Sequence, residues 1–564
     1  MQDYKKVYEE WLNNEFFDEK TREELRTIKD DEKEIQDRFY KNLEFGTAGL
    51  RGKLGAGTNR MNVYNVSKVT QGIADFIVEK GKEYMDRGVA IAYDCRHYST
   101  EFAKTAALVL AANGIKAYLF EDLRPTPELS YTVRSFKTAA GIIITASHNP
   151  KEYNGYKVYW EDGAQVLSSI ANPMTEKINS IKSFKDVKTM DENTALDKKL
   201  LVMLGKDMDK EYIDKVKSLS IREDIDKNIK VVYSPLNGTG NIPVRRVLSE
   251  RGFTNIIVVP EQENPDPNFT TAEYPNPEDT RAFEYAENLG KEVNAELLLA
   301  TDPDCDRLAI EVRDCNGEYI PFNGNQTGAI LIKYIVESMH EIGTLPRNAA
   351  IVKSIVTGDM GRAIAKEYGV TTFEALTGFK NIYGRVPEFE RTGEYKFIFG
   401  YEESIGYNTG TFVRDKDAVS SAMLLCEAAA YYKTKGKTLL NVLNEIFEKY
   451  GYYKEKQISL VLEGAEGKAR IDRMMKSYRK DFPQEIGNLK MSKYIDYLEG
   501  YEDIPPSDVL KFYLEDGSWY AIRPSGTEPK IKVYIYTKGN TLEESNKNLE
   551  ILEEIVINKL NSIE

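Results

Sequence analysis

The chain has 564 residues, 41% of them hydrophobic and 29% charged, with 76 basic against 90 acidic side chains for a net charge of −14. That length exceeds one hydrophobic core and predicts about three or four domains. The acidic balance excludes general nucleic-acid binding, which needs a basic face, but not an anionic small substrate held by a few focused arginines.

In chain order, residues 1–40 read as charged amphipathic helices packed against the first domain, with apolar Tyr4, Val7, Tyr8, Trp11 and Leu12 on one stripe. This N-terminus has no apolar signal-peptide core, and no run approaches the roughly 20 apolar residues of a membrane span, so a cytoplasmic protein is expected. From residue 88 the pattern alternates: strand Val89–Tyr93, a helix near 100–113, strand Lys116–Phe120 and strand Ile142–Ile144. Such alternation predicts a parallel or mixed sheet covered by helices. It returns in Lys230–Tyr233, Ile256–Val259 and Glu296–Ala300, and again in Ala350–Val356 and Lys396–Phe399. The stretches 183–200 and 261–280 read as loops or linkers. Past residue 446, helices near 465–480 and 541–560 flank strands Val509–Tyr513, Trp519–Ile522 and Ile531–Tyr536, a separate α+β domain. The expected fold is therefore α/β, with three related sheet domains and a C-terminal α+β domain. The expected boundaries are 1–200, 201–318, 319–445 and 446–564.

Four loops carry chemistry. Thr145-Ala-Ser-His-Asn-Pro150 follows the apolar Gly141–Ile144 run and pushes Ser147 out of a strand end onto a turn. No G-x-S-x-G elbow surrounds it, so acyl transfer is a poor reading. Thr301-Asp-Pro-Asp-Cys-Asp-Arg307 places Asp302, Asp304 and Asp306 at alternate positions, able to share one hard cation if the loop curls at Pro303. An EF-hand is excluded, because its glycine and bidentate glutamate positions hold Arg307 and Arg313. Mg²⁺ fits better, since three protein ligands leave room for phosphate oxygen and water; the plain alternative is a solvated acidic turn. Gly400-Tyr-Glu-Glu-Ser-Ile-Gly406 offers carboxylates and a hydroxyl suited to a sugar, or else a helix N-terminus with acids favoured by its dipole. Arg523-Pro-Ser-Gly-Thr-Glu-Pro-Lys530 is an anion cradle, or a plain turn between two strands. Phe45–Gly52, glycine-dense around Arg51, also suits phosphate. Lys157 lies ten residues after Ser147. Only three histidines (His97, His148, His340) argue against a histidine-clustered zinc site, and Cys95, Cys305, Cys315 and Cys426 form no C-x-x-C pair and read as reduced thiols.

Together, and in this order, the serine, metal, sugar and phosphate loops resemble those of the α-D-phosphohexomutase superfamily, over about residues 45–535. Phe45–Gly52 and Gly57-Thr-Asn-Arg-Met-Asn62 are similar to the branch that contains phosphoglucomutases and phosphopentomutases. The resemblance implies four domains around a cleft and a phosphoryl group carried on Ser147. Asp302, Asp304 and Asp306 would hold one Mg²⁺ together with an oxygen of the Ser147 phosphate. Lys157 would be the general acid/base, with His148 and Arg51 at the reacting phosphate and Arg307 beside it. Thr377, Gly378 and Lys380 match the sugar-orientation loop, Glu402 and Ser404 the sugar-hydroxyl contacts, and Lys416 a further cleft lysine. Arg523, Ser525, Gly526 and Thr527 match the distal-phosphate grip.

The implied reaction is a mutase exchange between glucose 1-phosphate and glucose 6-phosphate, with the sugar 1,6-bisphosphate as intermediate and activator. Glu402-Glu-Ser404 is similar to the glucose-directed form of the sugar loop. A phosphopentomutase or phosphomannomutase, a sugar-bisphosphate synthase and a non-catalytic sugar-phosphate-binding protein are the alternatives. The implied partners are small-molecule sugar phosphates, with no nucleic acid and no membrane, in a monomer or homodimer.

Overall fold

A computed structural model describes residues 3–46, 49–462, 464–525 and 530–564. The chain divides into two bodies: residues 1–323 with 404–434, and residues 324–403 with 435–564.

The first body holds two sheets. The first runs in the order Gly49–Lys53, Tyr153–Trp160, Ala140–Ile144, Val89–Tyr93, Ala117–Phe120, Leu201–Leu204. Val89–Tyr93 and Ala140–Ile144 are buried at every position, as expected of parallel strands covered on both faces. The edge strand Leu201–Leu204 pairs with Ala117–Phe120 and so lies just past the boundary expected at 200. Tyr153–Trp160 returns antiparallel to Ala140–Ile144, setting Lys157 opposite Ile143; Gly49–Lys53 in turn sets Gly49 opposite Lys157 and Arg51 opposite Gly155. Two hydrogen-bonded strand pairs thus bring Arg51 and Lys157 toward the end of the strand that launches Ser147.

The second sheet runs Tyr319–Phe322, Leu308–Arg313, Leu297–Thr301, Val231–Ser234, Ile256–Val258. Leu297–Thr301 is wholly buried and pairs antiparallel with Leu308–Arg313, so residues 302–307 are the connection of a hairpin.

Residues 1–40 form three helices, Tyr4–Asn13, Glu19–Thr27 and Glu32–Phe39, whose caps Asp3, Asp18 and Asp31 each accept a backbone N–H. Their apolar stripe closes over Tyr64 and Phe184, with Trp11 stacked on Phe17 at 4.1 Å and edge-on to both. The expectation of a bare linker over 183–200 is corrected: a 3₁₀ turn, Phe184–Asp186, and a helix, Glu192–Asp197, form there. Ser183 and Asp191 cap them, and such short charged turns carry no apolar period for sequence reading to detect. The helix Ala418–Thr434 packs in the first body, where buried Glu427 accepts from the backbone N–H groups of Ile221 and Arg222 at 2.7 and 3.0 Å.

In the second body, Thr371–Ala375, Ala349–Ser354 and Lys396–Glu402 pair in parallel. The last sheet is antiparallel, in the order Tyr452–Val461, Lys530–Gly539, Trp519–Pro524, Leu510–Leu514, Leu489–Asp496, Glu485–Ile486. Its first and last two strands were not expected. Tyr452–Val461 lies along an edge, carries Lys454, Glu455 and Lys456 in succession and buries only Tyr453, and so lacks the apolar run of a core strand. The helices Gly464–Lys480 and Leu542–Asn561 supply Met474, Met475, Leu552 and Val556 to the core against this sheet.

This body also buries a cluster of charge. Lys353 and Glu374 are neighbours across two strands. The Lys353 ammonium lies 3.0 Å from Glu374 and 3.2 Å from Asp359, and Arg362 reaches Glu374 at 2.5 Å. Lys511, fully buried, sits 4.1 Å above the Trp519 ring, whose Nε1–H donates to Asp359 at 3.0 Å.

Candidate active site

Ser147 leaves the Ala140–Ile144 strand in a left-handed conformation, φ +53°, rare for a side-chain-bearing residue. Thr145 Oγ1 accepts the Ser147 N–H at 2.8 Å, and Asn149 N–H returns to Ala146 O at 3.1 Å, closing the turn. The Ser147 hydroxyl donates to Asp302 Oδ2 at 2.7 Å and lies 3.2 Å from His148 Nδ1. Arg51 Nη1 donates to Asn149 Oδ1 at 3.3 Å.

Residues 302–307 curl as their spacing requires. Asp302 Oδ1 accepts the N–H groups of Asp306 (3.1 Å) and Arg307 (3.0 Å), and Cys305 takes a left-handed φ of +54°. One carboxylate oxygen from each of Asp302, Asp304 and Asp306 then lies within 4.8 Å of the others, and all three residues are buried. Lys157 Nζ stands 2.8 Å from Asp304 and 3.7 Å from Asp306, and Lys416 Nζ 3.0 Å from Asp306. Thr126 Oγ1 donates to Asp304 Oδ2 at 2.9 Å. The Oδ1 atoms of Asp304 and Asp306 are nonetheless buried without a hydrogen-bond partner. Unpartnered buried carboxylate oxygens in an all-oxygen donor set fit a hard divalent cation.

The electrostatics follow. Burial, then repulsion by Asp304 and Asp306, pushes the Asp302 carboxyl well above the carboxylate range. Asp304 is also buried, but Lys157 outweighs that and holds it far below its ordinary value. Burial works against the Lys157 ammonium; Asp304 and Asp306 overcome it and raise its pKa. His148 is held well below the usual imidazole range by burial and by the nearby Arg307 and Arg51, so its ring is neutral. Arg307 Nη1 donates to the Ser404 carbonyl at 3.0 Å.

A second group lies in the other body. Gly378, at φ +101°, donates its N–H to Glu402 Oε1 at 2.6 Å, and Asn381 Nδ2 ties back to Thr377 O at 2.7 Å. The helix Phe379–Tyr383 carries Lys380, whose ammonium burial disfavours. The 400–406 segment is not a helix N-terminus: Lys396–Glu402 and Gly406–Asn408 are strands around a turn. Arg523 is the penultimate residue of the strand Trp519–Pro524, and Ser525 N–H donates to Lys530 O at 2.8 Å. Gly526 and Thr527 lie outside the described residues.

The structure thus gathers Ser147, His148, Lys157, the three aspartates, Arg307 and Lys416 around one point, with Arg51 beside the loop. Three contributors escaped sequence reading. Thr126, the first residue of the helix Thr126–Phe136, and Asp415 (which accepts from Lys416 at 3.0 Å and from Tyr159 at 2.7 Å) carry no local signal. Arg96 could have been suspected, because it follows the wholly apolar strand Val89–Tyr93 just as Ser147 follows its own. All four cysteines are free.

Family models for phosphoglucomutase/phosphomannomutase match the whole architecture: alpha/beta/alpha domain I at 42–185, domain II at 210–317, domain III at 323–450 and the C-terminal domain at 465–541. The chain belongs to the phosphoglucomutase/phosphomannomutase family. It is 37% identical over 522 residues to a phosphoglucomutase of Staphylococcus haemolyticus (91% of this chain, 93% of that protein). With the phosphoglucomutase of Staphylococcus epidermidis it shares 36% over 540 residues (94% and 95%). Among solved structures, a putative phosphomannomutase from Thermus thermophilus aligns at TM-score 0.67 and 20% identity (92% of this chain, 99% of that one). The phosphoglucomutase pp63/parafusin from Paramecium, in its open form, aligns at 0.68 and 17% (93% and 95%). These two structures share the family's fold. Among the described residues no helix is long and apolar enough to cross a membrane.

Proposed function

We propose that this family member is a mutase that interconverts glucose 1-phosphate and glucose 6-phosphate through a phosphoserine at Ser147. The observation that carries the proposal is the Ser147 hydroxyl 2.7 Å from Asp302, inside a triad whose Asp304 is paired with Lys157. Asp302, Asp304 and Asp306 would hold one Mg²⁺, which supplies charge neutralisation at the phosphoryl group. Lys157, an ammonium beside Asp304 and Asp306, would give a proton to the leaving oxygen and recover one from the attacking hydroxyl; neutral His148 and Arg51 would position the phosphoryl oxygens, with Arg307 and Lys416 adding positive charge. Phosphoryl transfer needs this positioning and charge balance more than covalent help.

In the first half-reaction the Ser147 Oγ–P bond breaks and the sugar's free hydroxyl gains the phosphoryl group, giving the 1,6-bisphosphate. In the second, the other phosphate returns to Ser147. The bisphosphate must therefore present either end, which one fixed grip for the distal phosphate (Arg523, Ser525, Gly526, Thr527) and reversible sugar contacts (Thr377, Gly378, Lys380, Glu402, Ser404) would serve. We divide the chain functionally near 200, after the edge strand Leu201–Leu204 of the first sheet, and at 318 and 445, and expect a cytoplasmic monomer or homodimer acting on small-molecule sugar phosphates. A coupled assay on glucose 1-phosphate, ribose 1-phosphate and mannose 1-phosphate tests the substrate. Glucose 1-phosphate is expected to have the highest kcat/KM; a preference of about tenfold or more for either other sugar contradicts the assignment.

A further inference from the structure

Arg96 lies at the centre of the serine loop, and each of its two Nη atoms donates twice. Nη2 donates to Ser147 O at 2.6 Å and Asn149 O at 2.5 Å; Nη1 donates to Pro150 O at 2.9 Å and Tyr153 O at 3.1 Å. Nε faces Asp94 Oδ2 at 3.2 Å, and both side chains are fully buried. The guanidinium is stacked 4.9 Å from the ring of Phe269, itself buried, on the 261–280 segment. Asp94 is fixed in turn: its Oδ1 accepts the Arg96 N–H at 2.9 Å and the Ser99 hydroxyl at 2.8 Å.

We infer that Arg96 is a positioning residue for phosphoryl transfer, a fork whose four N–H groups hold the carbonyls of residues 147–153 so that Ser147 stays left-handed with its hydroxyl aimed at Asp302. This rests on the reading of Ser147 as phosphate carrier. The fork acts by geometry. Asp94 already neutralises its charge, and what four carbonyls at fixed angles require is a rigid planar donor set, which arginine has and lysine lacks. Ser147 O is one of those four acceptors, so the left-handed backbone of the nucleophile is tied directly to the clamp. A phosphoserine must also return to one place after each bisphosphate turnover, and a flexible loop would let the phosphoryl group miss the triad or meet water.

The test uses the full chain with Mg²⁺, glucose 1-phosphate and a trace of glucose 1,6-bisphosphate. Arg96→Lys keeps the charge and loses the fork. It is expected to lower kcat by about 30-fold or more while KM stays within about threefold, and to leave Ser147 phosphate lost to water faster than in the native enzyme. A purely structural arginine would instead lower the unfolding midpoint and leave the kcat of the folded protein in place. If Arg96→Lys does not fold, Phe269→Leu, which removes only the stacking ring, is expected to lower kcat by about fivefold at unchanged KM. A kcat within about twofold of native, in whichever variant folds, overturns the inference. Ser147→Ala run alongside separates the two readings: an active Ser147→Ala overturns the carrier role, whereas an inactive one beside an unimpaired Arg96 variant overturns only the clamp.

Discussion

Around Ser147, the buried carboxylates of Asp302, Asp304 and Asp306 face the ammonium groups of Lys157 and Lys416, and two of their oxygens have no hydrogen-bond partner. Around Lys353, in the other body, Lys353, Lys511 and Arg362 surround Asp359 and Glu374; Asp359 Oδ1 also lacks a hydrogen-bond partner, but it lies 3.2 Å from Lys353 and 3.4 Å from Arg362, so each acid faces a cation. Both clusters hold charges off their ordinary pKa values. Burial, then repulsion, pushes one carboxyl of the first, Asp302, upward, whereas in the second attraction outweighs burial and pulls both acids downward. A buried charge cluster short of cations is incomplete without a ligand; a compensated one holds sheets together.

That contrast can be broken by substitution. Asp304→Asn is expected to cost the most activity, about 10² to 10³ in kcat, an effect far larger than its cost in stability. Activity equal to native at saturating Mg²⁺ would remove Asp304 from the ligand set. Lys353→Met should do the reverse, costing about 3 to 5 kcal/mol of stability by denaturant unfolding, with the kcat of the folded protein unchanged. An activity loss as large as that of Asp304→Asn would erase the distinction between the clusters.

A smaller effect sharpens it through pH. Burial raises the Glu374 pKa, but Lys353, Lys511 and Arg362 prevail and bring it from 4.5 down to about 2. Its contribution is thus fully present above the unfolded value of 4.5 and is lost as pH falls toward 2, about 3 kcal/mol in all. Glu374→Gln should therefore lower stability at neutral pH and flatten the acid limb of the stability curve. An acid limb as steep as that of the native protein would show that this cluster does not set it.

How far the sequence spoke follows from the same two clusters. The triad was legible because its three aspartates stand within five residues, behind an apolar strand, where a loop curling at Pro303 lets them converge. The Lys353 cluster was not, because its members come from strands and a helix end more than 150 residues apart, joined only by tertiary pairing. Ser147 announced itself by leaving a buried strand; Arg96, at the matching position of the neighbouring strand, shared that signal but had no motif around it to mark its role. The alternating core strands were legible by period; Tyr452–Val461 and the short helices of 183–200 were not, because pairing and caps, rather than apolar rhythm, form them.

The central claim is that Ser147 carries the phosphoryl group. Intact-protein mass measurement of the native chain and of Ser147→Ala, each after incubation with glucose 1,6-bisphosphate and followed by turnover on glucose 1-phosphate, tests it directly. The account predicts one phosphate on the native chain, none on the variant, and turnover lost with it. Full turnover by an unphosphorylated Ser147→Ala would contradict it.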